Sequence, residues 1–112
     1  MKKDSLVYIE DILNSCDRIL DYVGDITFEQ MQENQMLIDA IIRNIEIIGE
    51  AAKRLDDDFK IATPAFPIRD TVTMRNKLIH DYNMVDYQVV WNTTKIDIPE
   101  LKALCQKILN AT

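Results

Sequence analysis

The sequence predicts an all-α protein, an up-and-down helical bundle of four to five helices, on three observations. Apolar residues recur at three-four spacing over most of the chain, the signature of helices with one buried side. Only two Gly and three Pro interrupt 112 residues, which leaves few places to turn. Thr27-Phe28-Glu29-Gln30 has the form of a capping box, a helix-opening device. With 47% hydrophobic residues and this length, the chain can build one small core, so residues 1–112 read as a single domain.

In order, Asp4 or Ser5 can cap a first helix that runs to about Val23 and stops at Gly24. Leu6, Ile9, Leu13, Cys16, Leu20 and Val23 form a continuous stripe, widened by Val7, Ile12 and Ile19. A seam that wide packs against more than one neighbour. A second, longer helix is expected from the Thr27 cap to about Leu55, with Ile38, Ile41, Ile45, Ile48, Ala52 and Leu55 as its buried row. Gly49 inside it costs about 1 kcal/mol relative to Ala, either for a close neighbouring backbone or as a tolerated surface residue.

Asp56-Asp57-Asp58 begins a predicted loop that Thr63-Pro64-Ala65-Phe66-Pro67 ends, because two prolines three apart exclude a continuous helix. Pro67 suits the first turn of a third helix, expected to reach His80. Asp86 can cap a short fourth helix bearing Val89, Val90 and Trp91, the Trp being a core anchor in preference to a base-stacking platform. Asp97 is expected to cap the last helix, with Leu101, Leu104, Cys105, Ile108 and Leu109 inward.

Cys16 and Cys105 each lie on an apolar row with no partner at metal spacing, so both are expected to be buried as small hydrophobes. No charge-free run reaches membrane-spanning length, and the Lys2-Lys3 start lacks the apolar stretch of a signal peptide, which together predict a cytoplasmic protein. The net charge of −6 is unevenly placed: residues 1–60 hold 7 basic and 14 acidic side chains, residues 61–112 hold 6 and 5. Local field governs phosphate binding more than net charge does.

The richest chemistry lies in Arg75-Asn76-Lys77-Leu78-Ile79-His80-Asp81-Tyr82. Arg75 offers a planar fork for phosphate oxygens, Lys77 a point charge, Asn76 a neutral donor, and His80, the chain's one imidazole, a proton exchanged near neutral pH. These are the parts of metal-free RNA cleavage; the plainer account is a helix-end His satisfied by a nearby carbonyl or carboxylate. Arg43, Glu46 and Glu50 share one side of the second helix, either as a solvated polar face or as groups that orient Arg75 or His80. No His/Cys/Asp cluster at ligand spacing is visible, so no metal site and no cofactor is expected.

Arg75, His80 and Tyr82 form Arg-x-x-x-x-His-x-Tyr with Asn76 directly after the Arg, and this resembles the signature of the HEPN superfamily. Arg43 to Ala52, with its Ile45-Glu46-Ile47-Ile48-Gly49-Glu50-Ala51 core, resembles a segment of one branch, the HepT-like ribonuclease toxins. Phe66-Pro67, Val85-Asp86, Val89-Val90-Trp91 and Ile98-Pro99-Glu100-Leu101 extend the likeness along nearly the whole chain, while Ile68 departs from the Trp that the branch favours there.

One His per chain is too few for two-sided proton transfer, which a symmetric homodimer would remedy, and the resemblance implies such a dimer with a shared cleft. It further implies a metal-independent endoribonuclease, the toxin of a type VII-like toxin–antitoxin system. Arg75 and His80 would be catalytic, with Asn76 and Lys77 supporting at the phosphate. Tyr82 would accept AMP from an MntA-like nucleotidyltransferase antitoxin, which would neutralise the RNA-cutting cleft. The competing implication is a noncatalytic HEPN domain that binds nucleotide as the partner of a minimal nucleotidyltransferase.

Overall fold

The computed structural model describes residues 3–67, 71 and 86–111, and among these all regular structure is helical. Helix α1 (Lys3–Val23) is flanked by α3 (Gln35–Lys53) on one side and α6 (Ile98–Asn110) on another. Its wide seam meets two neighbours, as its width predicts. The fully buried apolar residues of α1 are Ile9, Ile12, Cys16 and Ile19, whereas Leu6, Leu13 and Leu20 pack half-buried along the flank and Val7 remains 46% exposed.

Neither Asp4 nor Ser5 caps α1, because the helix already includes Lys3. Ser5 is instead buried, and its Oγ accepts from the Asp56 amide at 3.4 Å, joining the start of α1 to the end of α3. The two helices therefore run antiparallel. At its other end α1 stops where Gly24 takes φ of 50°, a left-handed conformation that Gly adopts without a Cβ penalty, and the Gly24 amide donates to Leu20 O at 2.9 Å.

The expected single helix from Thr27 to Leu55 is two. The capping box forms as read: Gln30 N donates to Thr27 Oγ1 at 3.1 Å and Thr27 N to Gln30 Oε1 at 2.9 Å. It opens only the short α2 (Phe28–Gln32), and a new start follows, with Asn34 Oδ1 accepting from Leu37 N at 3.1 Å to cap α3. Gln32-Glu33-Asn34-Gln35 has no apolar side chain to bury, and Asn is among the best N-caps, so the break costs little. It frees α2 to lie against a later helix, where Phe28 packs on Trp91 with ring centroids 5.8 Å apart.

The predicted row of α3 holds. Ile38, Ile41, Ile45, Ile48, Ala52 and Leu55 are all buried, and Gly49 is buried too, which removes its surface reading. The predicted loop after α3 contains helix α4 (Asp57–Ala62), capped by Asp56 Oδ1 at 2.8 Å from Phe59 N. Asp57 and Asp58 sit in its first turn, where the helix dipole favours negative charge. What holds so short a helix is Phe59, fully buried, with Phe66 edge-on at 5.5 Å and 80°.

Asp86 caps α5 (Tyr87–Asn92) as predicted, accepting from Gln88 N at 3.0 Å and Val89 N at 3.2 Å. Trp91 is half-buried against the core, with Lys95 Nζ 4.7 Å from its ring centre. Asp97 caps nothing. Its backbone is helical, and a π-helical turn (Thr93–Asp97) joins α5 to α6 without a stop. The cause is Pro99, which lacks an N–H and would press its ring on the carbonyl four residues back in a regular helix. In the π turn the Ile98 amide reaches Thr93 O instead, and the buried Thr93 and Thr94 hydroxyls donate to Val89 O and Trp91 O at 2.8 and 2.7 Å.

Cys16 and Cys105 are free and fully buried, and beside them Lys102 Nζ on α6 donates to Asp17 Oδ1 on α1 at 2.8 Å. That hydrogen bond and the carboxylate charge raise the Lys102 pKa. Burial pushes both thiols from the ordinary 9.0 up to about 12, with the neighbouring Cys105 and Asp17 adding to the rise at Cys16. No described helix is long and apolar enough to cross a membrane.

Two outcomes test this packing. Phe59→Ala removes a fully buried ring and its Phe66 contact and should destabilise the chain by about 3–5 kcal/mol in denaturant unfolding. Because the folded state raises both thiol pKa values, the stability they contribute is intact below pH 9 and falls as pH rises from there through about 12, an effect that Cys16→Ala/Cys105→Ala should abolish in a pH series of melting temperatures.

Candidate active site

The motif residues Arg75, Asn76, Lys77, His80 and Tyr82, with Ile68 and most of the predicted third helix, lie outside the described residues. What the structure describes is how the chain is held on either side of them. Before the motif, Phe66 is buried on Phe59, and Pro67 O accepts both the Thr71 amide at 2.9 Å and the Thr71 hydroxyl at 2.7 Å. Thr71 is itself buried, so the chain is anchored in the core at Thr71, four positions ahead of Arg75 in the sequence. After the motif, the Asp86 cap fixes the start of α5, whose Val90 is fully buried. The polar motif is thus strung between two core-anchored points.

Arg43, Glu46 and Glu50 are described, and the structure brings them to one side of α3. Arg43 Nη1 lies 3.7 Å from Glu46 Oε2, with the two side chains 71% and 37% exposed. So loose and wet a pair contributes little stability; its use is in placing charge. Together with Ile47, Ala51 and Arg54 of α3 and Tyr8 and Asp11 of α1, these residues line an open groove of about 370 Å³. Two guanidiniums and three carboxylates border it, so the groove suits a partner with both signs of charge better than a bare anion.

Asn44, next to Arg43 in the chain, points the other way. It is buried, donates from Nδ2 to Ala40 O at 2.9 Å, and leaves Oδ1 without a hydrogen-bond partner among the described residues. A signal for this existed: Asn44 continues the Leu37, Ile41, Ile48 row at four-three-four spacing and so had to face inward. Tyr8, Asp11 and Arg54 were not singled out by sequence reasoning, since the first two join the groove only through the antiparallel packing of α1 on α3. Among the described residues no group of three or more His, Cys, Asp or Glu side chains could hold a metal ion.

Comparison with known proteins matches this sequence to one family. The family model described as "Ribonuclease HepT-like" matches residues 12–108, a span that contains the Arg43–Glu50 face and the whole Arg75–Tyr82 motif. The chain is 42% identical over 108 residues to the "Probable ribonuclease HepT" of Thermococcus cleftensis, covering 96% of this chain and 98% of that one. It is 39% identical over 108 residues to a protein of Methanocaldococcus jannaschii provisionally named an RNase, covering 96% and 93%. A Caldanaerobacter subterraneus protein, also provisionally named an RNase, is 38% identical over 102 residues, covering 91% of each. No solved structure matches the chain. With nearly its full length matched by the family model and by relatives of its own size, the chain belongs to the HepT-like ribonuclease family of the HEPN superfamily.

Proposed function

We propose that this protein is a metal-independent endoribonuclease, the toxin of a toxin–antitoxin pair, with an active site completed by two copies of the chain. The observation that carries the reading is the presence of the complete Arg75-Asn76-x-x-x-His80-x-Tyr82 motif within a chain matched to the ribonuclease family over residues 12–108.

In this reading the scissile phosphate lies between the motifs of two protomers. One His80 takes the 2′-hydroxyl proton, which lets that oxygen attack phosphorus, while the other gives a proton to the departing 5′-oxygen; the products are a 2′,3′-cyclic phosphate and a free 5′-hydroxyl. Arg75 forks onto the phosphate oxygens and stabilises the charge that grows in the transition state, with Asn76 and Lys77 assisting. Arg43, Glu46 and Glu50 help to orient the motif from α3. Tyr82 is the site at which an MntA-like nucleotidyltransferase antitoxin adds AMP. The hydroxyl oxygen attacks the α-phosphorus of ATP and pyrophosphate leaves, so bulk and negative charge are placed beside Arg75.

RNA cleavage in excess chelator should persist in the wild-type chain and fall by about 10²–10⁴-fold in His80→Ala, with Arg75→Ala similarly impaired. Growth arrest on expression should be relieved by the same changes. Full cleavage by the double variant would refute the site, and harmless expression with nucleotide-dependent thermal shifts would identify a noncatalytic binding subunit instead. After incubation with the antitoxin and ATP, mass spectrometry should find AMP on Tyr82 and none in Tyr82→Phe. Tyr8, which lines the open groove, and Tyr22 and Tyr87, 46% and 36% exposed, are the competing acceptors, and modification confined to them would overturn the assignment.

A further inference from the structure

Exposed apolar side chains collect at one end of the bundle. Because α1 and α3 run antiparallel, the last turn of α1, the whole of α2 and the first turn of α3 lie together, away from the Ser5–Asp56 end. The Phe28–Trp91 contact brings α5 to the same end, and the Lys102–Asp17 bond brings the first turns of α6 with the π turn before them. Met36, Ile96 and Tyr22 stand there 85%, 55% and 46% exposed, and none of the three belongs to the core. Half-buried Ile26, Phe28 and Trp91 lie at the same end. Apolar side chains left in water and rimmed by charge mark a surface for another protein.

Charge selects which protein. Residues 20–35 and 86–101, the described residues that form most of this end, carry seven exposed carboxylates, four in the first stretch and three in the second. Asp21, Asp25, Glu29 and Glu33 stand at every fourth position with no basic residue among them. Against the seven there is one ammonium, Lys95, and it is engaged with the Trp91 ring at 4.7 Å. So one-sided a field repels a polyanion and attracts a surface rich in Lys and Arg. The end is also close to the motif along the chain. Tyr82 precedes the Asp86 cap of α5 by four residues, at most about 14 Å of extended backbone, so a partner seated here has the Tyr82 hydroxyl within reach.

We propose that this acidic, apolar end is where the AMP-transferring antitoxin docks, presenting basic side chains around an apolar contact on Met36 and Ile96. This rests on the modification of Tyr82 proposed above and names the surface that serves it. Titration calorimetry of the antitoxin against the full-length chain, alongside AMP transfer at fixed ATP, tests it. Met36→Gln with Ile96→Gln should raise Kd by about tenfold or more and raise KM for the chain, with kcat unchanged within about twofold. Glu29→Lys with Glu33→Lys should do the same and should flatten the rise of Kd with salt that the wild-type chain shows. Ile61→Gln is the control, since Ile61 is 79% exposed on α4 at the opposite end; it should leave Kd and KM within about twofold. Unchanged melting temperatures verify that each variant folds. A Kd within about twofold of wild type in either double variant, or one raised as much by Ile61→Gln, overturns this surface, and AMP found on Tyr82 in the same experiment leaves the modification reading standing. Binding with the expected sensitivities but AMP confined to another tyrosine overturns the Tyr82 assignment and leaves the surface standing. A wild-type chain that the antitoxin neither binds nor modifies overturns both.

Discussion

Helix α1 can leave water only if more than one helix covers it, because Ile9, Ile12, Cys16 and Ile19 are all fully buried while Leu6, Leu13 and Leu20 need partial cover beside them. Each fully buried Ile gains about 1.5–3 kcal/mol over exposure, so the term is large against the net stability of a small domain. Covering α1 with α3 on one side and α6 on another fixes the rest. The antiparallel run of α3 follows, with Ser5 meeting Asp56, and so does the placement of Tyr8 and Asp11 beside the Arg43–Glu50 face. The cysteines follow too, since two thiols held away from water between α1 and α6 behave as core atoms and not as reactive groups.

Within that frame the joins between helices are local solutions to local chemistry. Gly24 ends α1 by turning left-handed, Asn34 restarts a helix that had nothing apolar to carry it through Gln32–Gln35, and the π turn passes Pro99 without surrendering the helix. These joins also decide which side chains meet. The break before Asn34 sends Phe28 to Trp91, and Phe59 with Phe66 anchors the chain as it approaches Pro67 and the motif.

Charge follows the same division of labour. The first 60 residues are strongly acidic and the remainder slightly basic, which confines attraction for a polyanion to the motif half. On α3, by contrast, acids and bases are mixed, with Asp39, Arg43, Glu46, Glu50 and Arg54 along one side, so no field of one sign builds up there.

Much of this was legible in the residues alone. Helical class, the buried rows of α1, α3 and α6, the Thr27 capping box, the Asp86 cap and the burial of both cysteines follow from periodicity and cap chemistry, which act over a few residues. The family likeness was legible for a related reason, since a motif's residue types and spacing are read directly from the chain. Tertiary structure alone decided what depends on distant neighbours. Asp56 begins a helix because Phe59 has a pocket to fill, Ser5 serves as an acceptor instead of a cap, and Asp97 is absorbed into a continuous helix because Pro99 is passed by a π turn. Asn44 parts company with Arg43 and Glu46 for the same reason: burial is settled by what stands opposite, and a sequence records that only in the residues on the far side.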